Sequence, residues 1–246
     1  MAKVALVTGG AKGIGEAIIK KLASKGYDVC INFNHSEDEA KKLKSFVEKK
    51  FNVNAKVYKA DISQEDEVKK MIEEIIKDFS RIDVLINNAG IDISCEYLDK
   101  TTDNFIKTLK VNLLGPFIVS KFVGPLMKKQ EYGKIVNISS NNATKCYFPT
   151  TCDYDASKAG LCVLTKNMAI EFAPNVNVNA VAPGWIDTDM NNEILQDEFV
   201  RECECQRILK RRFGKKEDVA NLVAFLVSDE AEYINGEIIT IDGGQK

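Results

Sequence analysis

A phenol and an ammonium stand four residues apart in DYDASKAGL (153–161), as Tyr154 and Lys158. On a helix, positions i and i+4 share a face, so the two polar tips converge. A free phenol ionises near pH ~10, too high for efficient proton exchange at neutral pH. A neighbouring ammonium favours the phenolate and lowers that value. Taken alone, the same residues also describe a surface tyrosine beside a surface lysine. A second candidate is TGGAKGIG (8–15), with Gly9 followed by Lys12, Gly13, Ile14 and Gly15. Glycines let the backbone turn tightly and let a pyrophosphate approach. The helix that follows offers free N–H groups and the positive end of its dipole. The spacing is G-x3-G-x-G rather than G-x-G-x-x-G, and a turn serving only helix packing has the same appearance.

Apolar runs alternate with amphipathic segments along the whole chain. VALVT (4–8), DVCINF (28–33), NAKVYKADI (54–62), RIDVLINN (81–88), GKIVNISS (133–140), NVNVNAVAP (175–183) and GEIITID (236–242) read as strands. GIGEAIIKKLASKG (13–26), SEDEAKKLKSFVEKK (36–50) and QEDEVKKMIEEIIKDF (64–79) read as helices, Ser36 and Glu39 having capping-box spacing. Another helix carries Tyr154 and Lys158. This alternation predicts βαβ units, a doubly wound parallel sheet and helices on both faces. No repeat or Pro/Gly-rich linker interrupts it, so residues 1–246 read as a single α/β domain of Rossmann type. The glycine turn then lies at the carboxyl end of the first strand, where such sheets bind ligands.

The chain has 246 residues, 45% hydrophobic and 28% charged, with a net charge of -2. That length buries a sizeable core. The charge points to neither a nucleic-acid nor a membrane partner, and no uninterrupted apolar run is long enough to span a bilayer. The start, MAKVALVTGG, has no secretory pattern. The cysteines, Cys30, Cys95, Cys146, Cys152, Cys162, Cys203 and Cys205, lack framework spacing and read as free thiols in a cytoplasmic protein. Cys203 and Cys205 form a C-x-C, but the one histidine is the distant His35, so no metal site is expected.

TGGAKGIG, NNAG (87–90), Asn112, Ser140, Tyr154-x-x-x-Lys158 and Pro183-Gly184 occur in one order. In this the sequence resembles the short-chain dehydrogenase/reductase family from end to end, most of all its 3-oxoacyl-[acyl-carrier-protein] reductase-like members, through PGWIDTDM and GEIITIDGG. The resemblance implies an NAD(P)-dependent oxidoreductase acting between carbonyls and secondary alcohols. It implies that Tyr154 protonates a carbonyl oxygen while Lys158 lowers the phenol's pKa and bonds the nicotinamide ribose. Ser140, with Ser139 as rival, holds the substrate carbonyl. Asn112 kinks its helix and holds a water linking Lys158 to solvent. Asn88, Ala89 and Gly90 close over the adenine-ribose side, Asp61 bonds the adenine amino group, and Ile62 packs on the ring. Pro183 and Gly184 lie along the nicotinamide, the Ile186 backbone holds its carboxamide, and Thr188 adds a bond. The family's habit of tetramers implies pairing through the Tyr154 helix and EDVANLVAFLVS (217–228). Relatives that act as sensors or scaffolds usually lose one of the serine, tyrosine and lysine; all are present here.

The second strand ends in INFNHS with no carboxylate before Glu37. An acid there would accept from a ribose 2′-hydroxyl. Asn34, His35 and Ser36, with Lys12 as a positive charge, instead suit a 2′-phosphate, so NADP(H) is preferred and NAD(H) stays open. His35 also reads as a neutral surface residue. The substrate loops 91–97, 141–153 and 185–195 offer Tyr97, Tyr147, Phe148 and Trp185 as apolar walls or ordinary core residues. NNAGIDIS departs from the usual NNAGITRD of acyl-carrier reductases, which keeps a sugar, polyol or other small ketone as the alternative substrate. The basic residues 210–212 and 215–216 could steer an acidic acyl carrier protein, or be a solvated face. Cys152, two residues before Tyr154, is expected to slow turnover when modified.

Overall fold

The computed structural model describes residues 2–145 and 147–246, without the side chain of Glu193. Cys146 therefore lies outside the described residues; the six other cysteines are unbridged. Seven parallel strands form one sheet: β1 (Val4–Val7), β2 (Asp28–Phe33), β3 (Ala55–Lys59), β4 (Val84–Asn87), β5 (Gly133–Ile138), β6 (Val176–Pro183) and β7 (Ile238–Ile241), in the order β3-β2-β1-β4-β5-β6-β7. Every residue of β1, β2, β4 and β5 is buried, as unbroken apolar runs demand in a sheet covered on both faces.

Two apolar layers cover it. One joins Ile18, Ile19 and Leu22 of α1 (Gly13–Ser24), Leu43 and Val47 of α2 (Glu37–Phe51), and Val219 and Val223 of a late helix, Lys216–Leu226. The other joins Val68 and Ile75 of α3 (Glu65–Phe79) with the helices that follow β4 and β5. After β4 come α4 (Thr102–Leu109), a π-helical turn (Lys110–Leu114) and α5 (Gly115–Lys129). Among the described residues this is the helix long and apolar enough to cross a membrane; 44% of its most apolar window is buried, with Ile118, Val119, Val123 and Met127 in the second layer. After β5 comes α6 (Cys152–Phe172), which carries Tyr154 and Lys158; α7 (Asn192–Gln196), α8 (Glu198–Arg207) and α9 (Lys216–Leu226) precede β7.

The chain runs outward from β1 through β2 to β3, then returns to place β4 on the other side of β1. That reversal opens a crevice between the turns after β1 and β4. Strands end earlier than the apolar runs suggest. Ala60 and Ser139 still donate to Phe33 and Val181, but the chain then leaves the ladder toward the crevice. Ser36 sits at the N-cap of α2 without a side-chain cap bond. The expected capping box is absent because Glu39 reaches Lys12 instead, at 2.8 Å.

A buried polar chain crosses the sheet. Asn87 lies opposite Asn137 in the β4–β5 register. Its amide donates to Asn137 Oδ1 (2.8 Å) and Ser120 Oγ (3.1 Å). Asn137 in turn donates to Thr165 Oγ1 at 2.9 Å, so α5, β4, β5 and α6 are tied together by side chains.

Candidate active site

A cleft of about 780 Å³ follows the carboxyl ends of the strands, within the range of small-molecule and cofactor sites. Its floor begins at the turn after β1. Gly9 and Gly13 have φ of +58° and +55°, a region that residues with side chains rarely adopt. A Cβ at Gly9 would stand 2.9 Å from the Cα of Ala89, and one at Gly15 would meet the amide of Asn88 at 2.7 Å. The two loops are therefore in contact. Asn88 clamps them, donating through its side chain to Thr8 O (3.0 Å) and Gly9 O (3.1 Å). The Thr8 hydroxyl accepts from the Asn88 and Ala89 amides. Asn32 completes the clamp, accepting from Gly9 N at 3.2 Å and donating to Ala60 O at 3.1 Å.

This cradle fits a dinucleotide. Its backbone is bare where a pyrophosphate would approach, and the N-terminus of α1 faces it. Lys12, Ile14, Asn34, His35, Asp61, Ile62, Ala89 and Gly90 line the same cleft. Asp61 holds Ser63 through its backbone N–H (2.9 Å) and hydroxyl (2.8 Å). Gly15 and Ser36 lie outside the lining: Gly15 is packed behind the turn, and Ser36 starts α2. Lys12 does line it, but its expected positive charge is offset by Glu39.

The far half of the cleft holds the reactive groups. Ser140, Tyr154, Lys158, Pro183, Gly184, Ile186 and Thr188 line it. The Ser139 hydroxyl turns away to donate to Lys158 O at 3.1 Å. Both serines line the cleft, but it is the Ser140 hydroxyl that stands beside the phenol. Burial pushes the Tyr154 phenol up to about 12, with the Ser140 hydroxyl pulling the other way and the Asp92 and Asp155 carboxylates adding to the rise. Burial also pushes Lys158 down to about 8. Its ammonium donates to Ile138 O at 2.8 Å and stands 5.5 Å from the centre of the phenol ring. The expectation that Lys158 holds the phenol below its ordinary value is not met: burial is the largest influence, and it acts upward.

Asn112 lies in the π-helical turn, fully buried. Such turns carry an extra residue and are among the recognised causes of helix kinks, the feature expected at Asn112. Its amide accepts from Ile91 N and donates to Ile91 O, both at 2.8 Å, and donates to Ser157 Oγ at 3.1 Å. The side chain is thus spent on the loop after β4 rather than facing the cleft. A Cβ at Gly90 would lie 3.3 Å from Asn112 Oδ1 and 3.4 Å from Lys158 Nζ, so both groups face the space that glycine leaves open.

Aromatic rings wall the substrate end. Phe148 and Trp185 line the cleft. Trp185 stacks on Phe213 at 5.8 Å and donates to Glu204 Oε2 at 2.9 Å, which joins α8 to the cleft. Tyr147 lies behind Phe148, while Tyr97 is exposed. Asp92 also lines this end, with Ser94 donating to it at 2.9 Å. Asn32 and Gln245 line the cleft and Phe213 backs Trp185; none of the three carries a sequence signal. Within the basic segment, Arg212 pairs with Asp218 and Lys216 with Glu16.

A family model described as enoyl-(acyl carrier protein) reductase matches residues 9–246. The 3-oxoacyl-[acyl-carrier-protein] reductase FabG of Staphylococcus epidermidis is 39% identical over 245 residues, covering 99% of each chain. Among solved structures, ElxO with NADP bound is 35% identical with a TM-score of 0.91, covering 99% of this chain and 98% of that one. NAD+-bound xylitol dehydrogenase is 29% identical with a TM-score of 0.91, covering 98% of both.

Proposed function

Since the chain belongs to the short-chain dehydrogenase/reductase family and is an NAD(P)-dependent oxidoreductase of C=O and CH–OH groups, we propose that it reduces 3-oxoacyl thioesters with NADP(H). The observation that carries this reading is the meeting of Ser140, Tyr154 and Lys158 in one cleft with the glycine cradle. The cleft would hold the nicotinamide cofactor, which when bound would supply the hydride for the carbonyl carbon. Ser140 donates a hydrogen bond to the carbonyl oxygen, and Tyr154 delivers the proton that completes the alcohol. Burial favours the neutral phenol, so the proton to be delivered is present at neutral pH. Lys158, fixed by Ile138 O, would bond the nicotinamide ribose. Asn112 acts by holding Ile91 and the substrate loop.

NADP(H) is preferred because Asn34 and His35 line the cleft beyond β2 where an acid would favour a free 2′-hydroxyl. The FabG relative supports an acyl-carrier thioester, and the acidic carrier would meet the basic 210–216 segment. We further propose one domain over residues 1–246, a cytoplasmic location, and a homotetramer. The last draws on apolar residues left exposed on α6, Val163 and Ile170.

The test mixes the protein with NADPH and an acetoacetyl thioester and follows loss of reduced nicotinamide. Wild type is expected to turn over; Tyr154→Phe is expected to lose roughly 10²–10⁴-fold in kcat, the scale of general acid catalysis, while still binding NADPH. Equal turnover in both would refute the assignment. A second reading, a sugar or polyol substrate, is favoured by the carboxylate of Asp92 in the cleft, which suits a hydroxylated substrate, and by the xylitol dehydrogenase fold neighbour. Turnover of polyols but not of the thioester would select it.

A further inference from the structure

The catalytic reading leaves one buried ion pair unused. Lys100 Nζ stands 2.8 Å from Asp153 Oδ1, and the two side chains are 4% and 0% exposed. Burial is the largest influence and opposes both charges, yet the pairing and attraction between them, with the Thr108 hydroxyl on Asp153, together outweigh it: the pKa of Lys100 is raised and that of Asp153 lowered. The other carboxylate oxygen of Asp153 accepts from the Thr108 hydroxyl at 2.7 Å. The Lys100 ammonium also donates to Ile93 O. One carboxylate thus joins the first turn of α6 to α4 and to the end of the loop 91–100.

That loop lines the substrate end and has little structure of its own. Its regular part is a single 3-10 turn, Tyr97–Asp99. Asn112 holds its start through Ile91, and Cys95 N donates to Thr150 O at 3.4 Å. The Lys100–Asp153 bond closes its far end. Burying two charges costs several kcal/mol per ion, and an apolar pair of similar volume often serves stability as well or better. What the ion pair adds is direction: it fixes where one chain segment meets another. Asp153 immediately precedes Tyr154.

We propose that Lys100 and Asp153 are positioning residues, which lock the substrate loop to the start of the catalytic helix and so set the place of the Tyr154 phenol against the reacting carbonyl. This rests on the reductase reading above. Misplacing a reacting group by about 1 Å costs on the order of 10²-fold in rate. Lys100→Met and Asp153→Asn are therefore each expected to lower kcat about 100-fold, with the NADPH dissociation constant changed less than twofold. Hydrogen exchange should quicken in residues 91–100 and 152–156 but not in β4 or β5.

The double variant Lys100→Met/Asp153→Leu removes both buried charges. It should recover the melting temperature but not kcat. Recovery of both together would show a merely stabilising pair and overturn the proposal, as would single variants with wild-type kcat. If wild type reduces no carbonyl, the reductase reading fails instead. Unchanged exchange in residues 91–100 of Lys100→Met would still overturn the lock.

Discussion

Lys158 is a charge that the fold bears at a cost, so its removal should stabilise the protein while abolishing turnover. The side chain is 3% exposed, and burial lowers its pKa from 10.5 to about 8. The folded state therefore binds its proton less tightly than the unfolded state. Between pH 8 and 10.5 the unfolded chain holds more protons, so this group's contribution to stability rises with pH across that window. Below about pH 8 the full penalty applies. The gap, at 1.36 kcal/mol per pH unit, is about 3 kcal/mol. Lys158→Met escapes it but loses the bond to Ile138 O, worth about 1 kcal/mol. The net gain at pH 7 is about 2 kcal/mol, or roughly 4–8 °C in Tm for a chain of this size. The assay is thermal unfolding of wild type and variant from pH 6 to 10.5, with turnover measured beside it. The difference in Tm should be largest near pH 7 and fade above pH 8. A variant that melts lower at pH 7, or whose gain is independent of pH, would refute the burial argument.

Tyr154, at about 12, should make the two reaction directions differ. Reduction needs the protonated phenol, so this group leaves its kcat/KM flat near neutrality; oxidation needs the phenolate and should climb with pH up to pH 10. An oxidation rate that levels off by pH 8 would contradict this. Glu39→Gln frees Lys12 from its carboxylate partner and should tighten NADPH roughly two- to fivefold, the scale of an exposed ion pair, while leaving NADH unchanged; fluorescence titration at low salt measures both. Gly15→Ala drives a methyl group into Asn88 and the backbone of Gly9 and Gly10. It should cost about 1–3 kcal/mol by overpacking and weaken NADPH binding; a wild-type Tm with unchanged affinity would show that the turn yields.

What was legible in the sequence was local or periodic. The glycine turn, the i, i+4 spacing of Tyr154 and Lys158, and the alternation of strands with helices are read from neighbours in the chain. The buried strands and the sheet followed from them. Contacts set by sheet order were not legible. Asn32 bonds Gly9, and Lys100 meets Asp153, because distant segments are brought side by side. Nothing local marks Asn32 among the other asparagines. The capping box at Ser36 failed for the same reason: Glu39 found a stronger partner in Lys12, from the turn after β1. The upward shift of Tyr154 was not legible because burial, its largest cause, is a property of the whole fold.

The asparagine chain across β4 and β5 acts as an alignment key. Two wholly apolar strands could slip by a pair of residues and still present apolar faces, since the side-chain period is two. Here such a slip sets Asn137 against Leu85 instead of Asn87. Each stranded amide would then cost about 1–3 kcal/mol. The offset between the ends of β4 and β5 is thereby held, and with it the spacing of Gly90 from Ser140. Loops beyond those ends are free to vary in length and chemistry, and so to exchange one substrate for another, while the reacting groups keep their places.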